Sequence, residues 1–101
     1  MKIGFIGAGR MADAIIAAIL DSKLATGHEV FASDVSEERR KLLKANYGIN
    51  MYTRNRAIGE NAEVVVLAVK PQQLDEVLAD VSQDLTAKHL VISIVAGKNL
   101  A

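Results

Sequence analysis

Apolar residues along the chain fall into short runs separated by amphipathic stretches, and this pattern predicts strands alternating with helices. Five runs are rich in apolar or β-branched residues and are interpreted as strands, at residues 2–6, 29–33, 48–52, 62–69 and 89–95. Between the first two runs, apolar residues recur at helical spacing at Ala12, Ile15, Ile16, Ile19 and Leu20. A second helical stripe comprises Leu74, Val77, Leu78 and Val81. Each stripe is suited to packing on one face of a sheet.

The helix boundaries are marked by residues typical of helix ends. Ser36 is a predicted N-cap, and Glu37 and Glu38 follow it near the positive end of the helix dipole. This second helix is expected to run to about Asn46, and Pro71 is suited to the first turn of a later helix. The segment 54–61 is predicted to be a loop or a single helical turn.

Strands that alternate with helices favour parallel pairing through right-handed crossovers. The predicted fold class is therefore α/β, with a Rossmann-type doubly wound parallel sheet and an expected strand order of 3-2-1-4-5. Neither a repeat nor a linker interrupts the chain, so residues 1–101 are expected to form one domain.

Composition narrows the function classes. Twelve basic and twelve acidic side chains cancel, which argues against nucleic acid or an anionic membrane as a partner. The chain has no cysteine, so disulfides, thiolate metal sites and a cysteine nucleophile are excluded. Its longest apolar run, Val64 to Val69, is far shorter than a membrane span, and a signal peptide is not evident. We expect a cytoplasmic protein without a metal.

A glycine-rich turn lies between the first strand and the first helix. In "GAGRMA", Gly7, Gly9 and Ala12 match the pattern G-x-G-x-x-G/A, which allows a tight turn, close approach of a pyrophosphate and close packing of helix on strand. The positive end of the following helix suits the phosphates. Glycines at this spacing are also found in ordinary turns, but the strand before and the helix after favour a dinucleotide site.

Asp34 lies at the end of the second predicted strand, about 20 residues beyond Ala12, where a ribose-binding acid is expected. The alternative is an acid that starts a turn or caps the second helix. Ser33, Ser36, Arg39 and Arg40 offer donors to a 2′-phosphate, so the choice between NADH and NADPH stays open. For Arg39 and Arg40, a solvated helix face is the favoured interpretation.

The segment "AVKP", Ala68 to Pro71, ends the fourth predicted strand, beside the first strand at the edge where ligands bind in doubly wound sheets. It is either a plain strand end with a solvent-exposed lysine or a segment that lines the site of the cofactor's ribose and nicotinamide. His28 and His89 precede strands at the opposite edge, so neither is expected to be catalytic. No catalytic residue is predicted.

With these motifs the chain resembles the N-terminal domain of pyrroline-5-carboxylate reductases over its whole length. The resemblance rests on "IGFIGAGRMADAI", "YGI", "AEVVVLAVKP" and "VISIVAGKNL". It implies that the pyrophosphate is bound by Gly7, Ala8, Gly9, Arg10 and Met11. It implies further that Ser33 and Asp34 contact the adenosine ribose or its phosphate, and that Asn55 lies on the adenine side. The nicotinamide half is assigned to Ala68, Val69, Lys70, Pro71 and Ala96.

The family resemblance also implies an activity, the reduction of a cyclic imine to L-proline by NADPH or NADH. The family's helical second domain, which forms the homo-oligomer and binds the imine, is absent from these residues, so this piece alone is expected to be inactive. Two positions depart from the family. Arg10 stands where asparagine is common, and Asp34 stands where many relatives have neutral phosphate-binding residues.

Two other functions fit the same residues. The first is the cofactor domain of another NAD(P)-dependent dehydrogenase of the hydroxyacid or prephenate type, because a fold does not choose a substrate. The second is a non-catalytic module that senses a dinucleotide. "AVKP" together with "S-I-x-A-G" favours the pyrroline-5-carboxylate reductases.

Overall fold

A computed structural model describes residues 1–81 and 90–95 and contains a five-stranded parallel sheet. The strands are β1 (Ile3–Ile6), β2 (Val30–Ser33), β3 (Asn50–Tyr52), β4 (Val64–Val69) and β5 (Leu90–Val95). The helices are α1 (Arg10–Asp21), α2 (Glu37–Tyr47), α3 (Arg56–Asn61) and α4 (Pro71–Val81), with a 3₁₀ turn at Gly27–Glu29. The strand order is β3-β2-β1-β4-β5, as predicted, and every pair of neighbours is parallel.

Helices cover both faces of this sheet because alternate residues of each strand point to opposite sides. On one face, Phe5 packs in a core with Ile16 of α1 and Leu43 of α2. On the other face, Leu67 packs in a second core with Ile58 of α3, and α4 adds partly buried residues to it. The sheet is therefore the middle layer of three, and its strand ends are left free to form loops at its edges.

Helix α2 begins and ends as its sequence predicts. The Ser36 hydroxyl accepts a hydrogen bond from the Arg39 backbone N–H at 3.2 Å, which satisfies one of the free donors of the first turn. At the other end, Gly48 adopts the left-handed conformation with φ of 65°, which glycine tolerates without strain.

Two local predictions were wrong. The segment predicted as a loop or single helical turn contains the six-residue helix α3. In the stripe predicted for α4, Leu74 and Val77 pack against the core, whereas Leu78 is 40% exposed. The side chain of Val81 lies outside the described part of the structure. Within the residues that the structure describes, no helix has the length and apolar character needed to cross a membrane.

Gly4 explains why α3 lies so close to the sheet. A Cβ atom at Gly4 would stand 2.4 Å from Cγ2 of Ile58 and 2.8 Å from Cβ of Ala62. Both distances are shorter than real carbon contacts, so a side chain at this position forces α3 away from β1.

We therefore expect Gly4→Ala to lower the free energy of unfolding by about 1–3 kcal/mol, the usual cost of overpacking a core. Chemical denaturation measures this change. Gly9→Ala is the matched control, because a Cβ at Gly9 meets no atom within 4 Å and Gly9 has an ordinary φ of −80°. Equal stabilities of the two variants would show that α3 does not pack on Gly4.

Candidate functional site

An open cleft of about 520 Å³ lies at the carboxyl edge of the sheet, where the ends of β1, β2 and β4 meet. Gly7 follows β1, Ser33 ends β2 and is followed by Asp34, and Val69 ends β4; all four line the cleft. Asn55 lines it from the segment before α3. Parallel strands bring these ends together because they all run in the same direction.

Gly7 is required by the fold itself. Its φ of 99° lies in the region that only glycine adopts readily, and a Cβ there would stand 2.4 Å from the carbonyl oxygen of Ala68. Its backbone N–H donates to the Ser33 carbonyl at 3.0 Å. The turn after β1 is thus packed against the end of β4 and bonded to the end of β2.

Gly9, by contrast, is not required by the fold. Its backbone is extended, and a Cβ at this position would meet no atom within 4 Å. Gly9 is the N-cap of α1 and makes no side-chain cap hydrogen bond, so the first backbone N–H groups of α1 are left without a capping side chain. The space in front of this helix end is open, and a side chain at Gly9 would occupy it. An uncapped helix N-terminus beside open space fits a bound anion.

Arg10 adds a positive charge to the same helix end. The residue is exposed, and among the described residues it has no ion pair. A cation in the first turn of a helix is unfavourable beside the positive end of the dipole. An anion bound at this helix end would be attracted by both the cation and the dipole.

Asp34 is bonded to the backbone on both of its carboxylate oxygens. Oδ2 accepts from the Ala8 N–H at 3.0 Å, and Oδ1 accepts from the Ser36 N–H at 2.8 Å. The interpretation of Asp34 as a turn-forming acid is therefore correct, although Ser36 rather than Asp34 caps α2. Each oxygen keeps a second acceptor site, so the carboxylate remains available to a hydroxyl at the cleft.

The prediction that Arg39 and Arg40 form a solvated helix face was wrong. Nε of Arg39 donates to the carbonyl of Ala8 at 2.7 Å, and its side chain is only 28% exposed. A guanidinium nitrogen of Arg40 donates to the backbone carbonyl of Asp34 at 2.8 Å. Both arginines lie in the first turns of α2, and the packing of α2 beside the glycine turn brings backbone carbonyls within their reach.

Asp13 and Tyr47 continue this polar contact between α1 and α2. A second guanidinium nitrogen of Arg39 lies 3.7 Å from Oδ2 of Asp13, and the Tyr47 hydroxyl donates a hydrogen bond to Oδ1 of Asp13. That hydrogen bond raises the pKa of Tyr47, since it stabilises the protonated phenol beside a carboxylate. Sequence reasoning missed this network because its members lie far apart along the chain.

Ser33, Asn55 and Asp80 form a chain of side-chain hydrogen bonds across the cleft. The buried Ser33 hydroxyl donates to Oδ1 of Asn55 at 2.6 Å, and Nδ2 of Asn55 donates to Oδ2 of Asp80 at 3.0 Å. The structure therefore brings together Ser33 and Asn55, two residues that the resemblance assigns to the adenosine half of the cofactor. Asp80 was not predicted.

Helix α4 forms one wall of the cleft. Its lining residues, which the sequence reasoning missed, are Gln73, Glu76, Val77 and Asp80. Their positions follow the pattern i, i+3, i+4, i+7, which places them on one helix face, and this spacing was the available signal. Val35 also lines the cleft and was missed; it is 87% exposed.

The remaining predicted site residues have different positions. Ala8 is fully buried, and the side chain of Met11 packs against the core. Ala68 is also buried, Lys70 is exposed, and Pro71 begins α4. Ala96 and His89 lie outside the described residues, and His28 is in the 3₁₀ turn before β2.

The polar side chains that line the cleft carry hydroxyl, amide and carboxylate groups. None of the residues that line the cleft is a histidine or a lysine. In residues 1–81 and 90–95, His, Asp and Glu do not cluster in groups of three that could hold a metal ion. The backbone N–H donors at the N-terminus of α1 and the carboxylates of the cleft suit an elongated ligand that carries both phosphates and hydroxyls.

Comparison with known proteins agrees with this geometry. The family model described as NADP oxidoreductase, coenzyme F420-dependent, matches residues 2–97. A pyrroline-5-carboxylate reductase from Methanosarcina acetivorans is 42% identical over 100 residues, which are 99% of this chain and 37% of that protein. The chain therefore spans little more than a third of this relative.

Two solved structures are also similar. A pyrroline-5-carboxylate reductase from Coxiella burnetii superposes with a TM-score of 0.87 and 33% identity, covering 95% of this chain and 36% of that one. A pyrroline carboxylate reductase from Plasmodium falciparum, solved with NADP bound, has a TM-score of 0.80 and 27% identity, covering 99% of this chain and 35% of that one. The resemblance drawn from the motifs is thus confirmed, and the chain belongs to the family described as NADP oxidoreductase, coenzyme F420-dependent.

Proposed function

We propose that this chain is the cofactor-binding domain of a pyrroline-5-carboxylate reductase and binds a nicotinamide dinucleotide at the carboxyl edge of the sheet, along the glycine turn and the adjoining cleft. The observation that carries the proposal is the open space at Gly9, in front of a helix end with no side-chain cap. Residues 1–101 act together as one NAD(P)-binding domain. The relative from Plasmodium falciparum with NADP bound supports this choice of ligand.

Each part of the cofactor has residues suited to it. The backbone N–H groups of Gly9, Arg10 and Met11 would hold the pyrophosphate, with Gly7 and Ala8 shaping the turn. Ser33 and Asp34 would contact the adenosine ribose, and Asn55 the adenine side. The nicotinamide half is assigned to Ala68, Val69, Lys70, Pro71 and Ala96.

We further propose that the whole enzyme reduces pyrroline-5-carboxylate to L-proline, with hydride supplied by the nicotinamide ring of NADH or NADPH. The contribution of this chain is to bind and orient the hydride donor. The imine substrate and the homo-oligomer contacts are assigned to the part of the protein that relatives have beyond this domain. We propose a cytoplasmic location for the protein.

For cofactor choice, we propose that the domain accepts NADH at least as readily as a strictly NADPH-dependent relative does. The Asp34 carboxylate lines the cleft and would repel a 2′-phosphate, whereas it accepts hydrogen bonds from ribose hydroxyls. Arg39 and Arg40 already donate to backbone carbonyls, which leaves fewer of their donors for a phosphate.

We expect Gly9→Val to abolish binding of both NADH and NADPH while the domain stays folded, because the branched side chain fills the space that the pyrophosphate needs. Calorimetric titration measures the affinity, and circular dichroism checks the fold. Gly9→Ala should show a smaller loss. Wild-type affinity in Gly9→Val would place the pyrophosphate elsewhere.

We expect Asp34→Asn to shift the ratio of NADPH to NADH affinity toward NADPH by about 1–3 kcal/mol, since it removes a charge near the 2′ position. The asparagine Oδ1 can still accept a backbone hydrogen bond, which limits damage to the turn. Glu37→Gln, which removes a charge from a side chain that is 71% exposed, is the control. An unchanged ratio in Asp34→Asn would show that Asp34 does not face the 2′ position.

We expect the 101-residue chain to bind cofactor without turning over pyrroline-5-carboxylate, because an unoriented substrate adds roughly 7–11 kcal/mol to the barrier. A chimera that joins it to the remaining part of the Methanosarcina acetivorans relative should oxidise NADH or NADPH when the imine is added. Gly9→Val in the chimera should remove that activity. Turnover by the short chain at the rate of the chimera would contradict the proposed division of roles.

A further inference from the structure

Arg39 reaches from α2 to the glycine turn without touching the cleft. Its Nε donates to the Ala8 carbonyl at 2.7 Å. Arg39 does not line the cleft, and neither do Ala8 and Gly9, which directly follow the lining residue Gly7 in the chain. Ala8 is fully buried and the Arg39 side chain is 28% exposed, so this part-buried contact lies between α2 and the turn. The cation therefore acts on the backbone of the turn from the side of α2.

The contact with the Ala8 carbonyl also fixes the direction of the Gly9 N–H. The Ala8 carbonyl and the Gly9 N–H belong to one planar peptide unit, and no cis peptide bond occurs among the described residues. In a trans peptide the C=O and the N–H point in opposite directions. Holding the Ala8 carbonyl toward α2 therefore points the Gly9 N–H away from α2.

The charge of Arg39 also makes the Gly9 N–H a stronger hydrogen-bond donor. A hydrogen bond from a cation to a carbonyl is stronger than a neutral one, and it polarises the peptide so that its N–H donates more strongly. The charge is only partly balanced within the described structure. One buried guanidinium nitrogen of Arg39 has no hydrogen bond there, and its ion pair with Asp13 is loose at 3.7 Å.

We propose that Arg39 is a positioning residue for the pyrophosphate of the cofactor: it holds the Ala8–Gly9 peptide so that the Gly9 N–H faces the phosphates. This inference rests on the proposed dinucleotide site. Asp34 and Arg39 both contact Ala8, and the inference gives them different roles. Asp34 lines the cleft and discriminates at the 2′ position, whereas Arg39 acts on the pyrophosphate, which NADH and NADPH share.

The first test is the affinity of Arg39→Gln for NADH and for NADPH, measured by calorimetry. We expect both affinities to fall by the same factor, roughly tenfold, as for the loss of one hydrogen bond to a charged group. Lys41→Gln is the matched control, because it removes the same charge from a side chain of α2 that is 77% exposed. It should leave both affinities within about twofold of wild type. A loss confined to NADPH, or no loss, would overturn the proposal.

The second test needs no ligand. In ¹H–¹⁵N spectra of the free chain, Arg39→Gln should shift the Gly9 amide resonance, because the carbonyl of the same peptide unit loses its charged donor. The amide of Gly48, at the other end of α2, serves as an internal reference and should not move. A Gly9 resonance unchanged from wild type would contradict the positioning role.

The two tests separate the possible failures. If the wild-type chain binds neither NADH nor NADPH, the proposed function is wrong, and the Gly9 resonance alone decides whether Arg39 orients the turn. If Arg39→Gln unfolds, Arg39→Lys replaces it, since it keeps the cation but not the planar fork that reaches both Ala8 and Asp13. Equal, smaller losses for the two cofactors would support the proposal, and wild-type affinity with an unmoved Gly9 resonance would overturn it.

Discussion

The candidate site depends on how the backbone of Ala8 is held. Its N–H donates to the carboxylate of Asp34 and its carbonyl accepts from the guanidinium of Arg39. Both partners come from the segment after β2, whereas the turn follows β1. Two charged hydrogen bonds to one residue leave the turn little freedom, and charged hydrogen bonds are among the stronger polar contacts in proteins. The free N–H groups at the start of α1 therefore have a defined direction before any ligand arrives.

Packing against β4 supports the same turn from its other side. Gly7 lies so close to the Ala68 carbonyl that only a residue without a side chain fits there. The turn is thus fixed by three strands, since it follows β1 directly, receives side chains from the segment after β2, and contacts the end of β4. This explains why the site occurs at the carboxyl edge of the sheet, where these three strand ends meet.

The distribution of charge divides the carboxyl edge of the sheet into two parts, although the chain as a whole has no net charge. Arg10 and the helix dipole make the start of α1 positive. Asp34, Glu76 and Asp80 bring carboxylates to the lining of the cleft. Phosphates are favoured at the first part, and hydroxyl or amine donors at the second. An extended ligand with phosphates at its centre and sugar hydroxyls beside them matches this division.

Much of this protein was determined by local sequence. The five strands, the cap at Ser36, the glycine turn and the acid at Asp34 all follow from periodicity and from residue types whose preferences act over a few positions, and they were sufficient for the sheet order. Tertiary structure decided the rest. Helix α3 has too few apolar residues for a periodic signal and depends on contact with Gly4, while Arg39 and Arg40 look like surface charges until α2 packs beside the turn. The wall that α4 forms likewise depends on which face of the helix meets the cleft. Contacts between residues far apart in the chain cannot be predicted from local periodicity, because they produce no repeating pattern in the sequence.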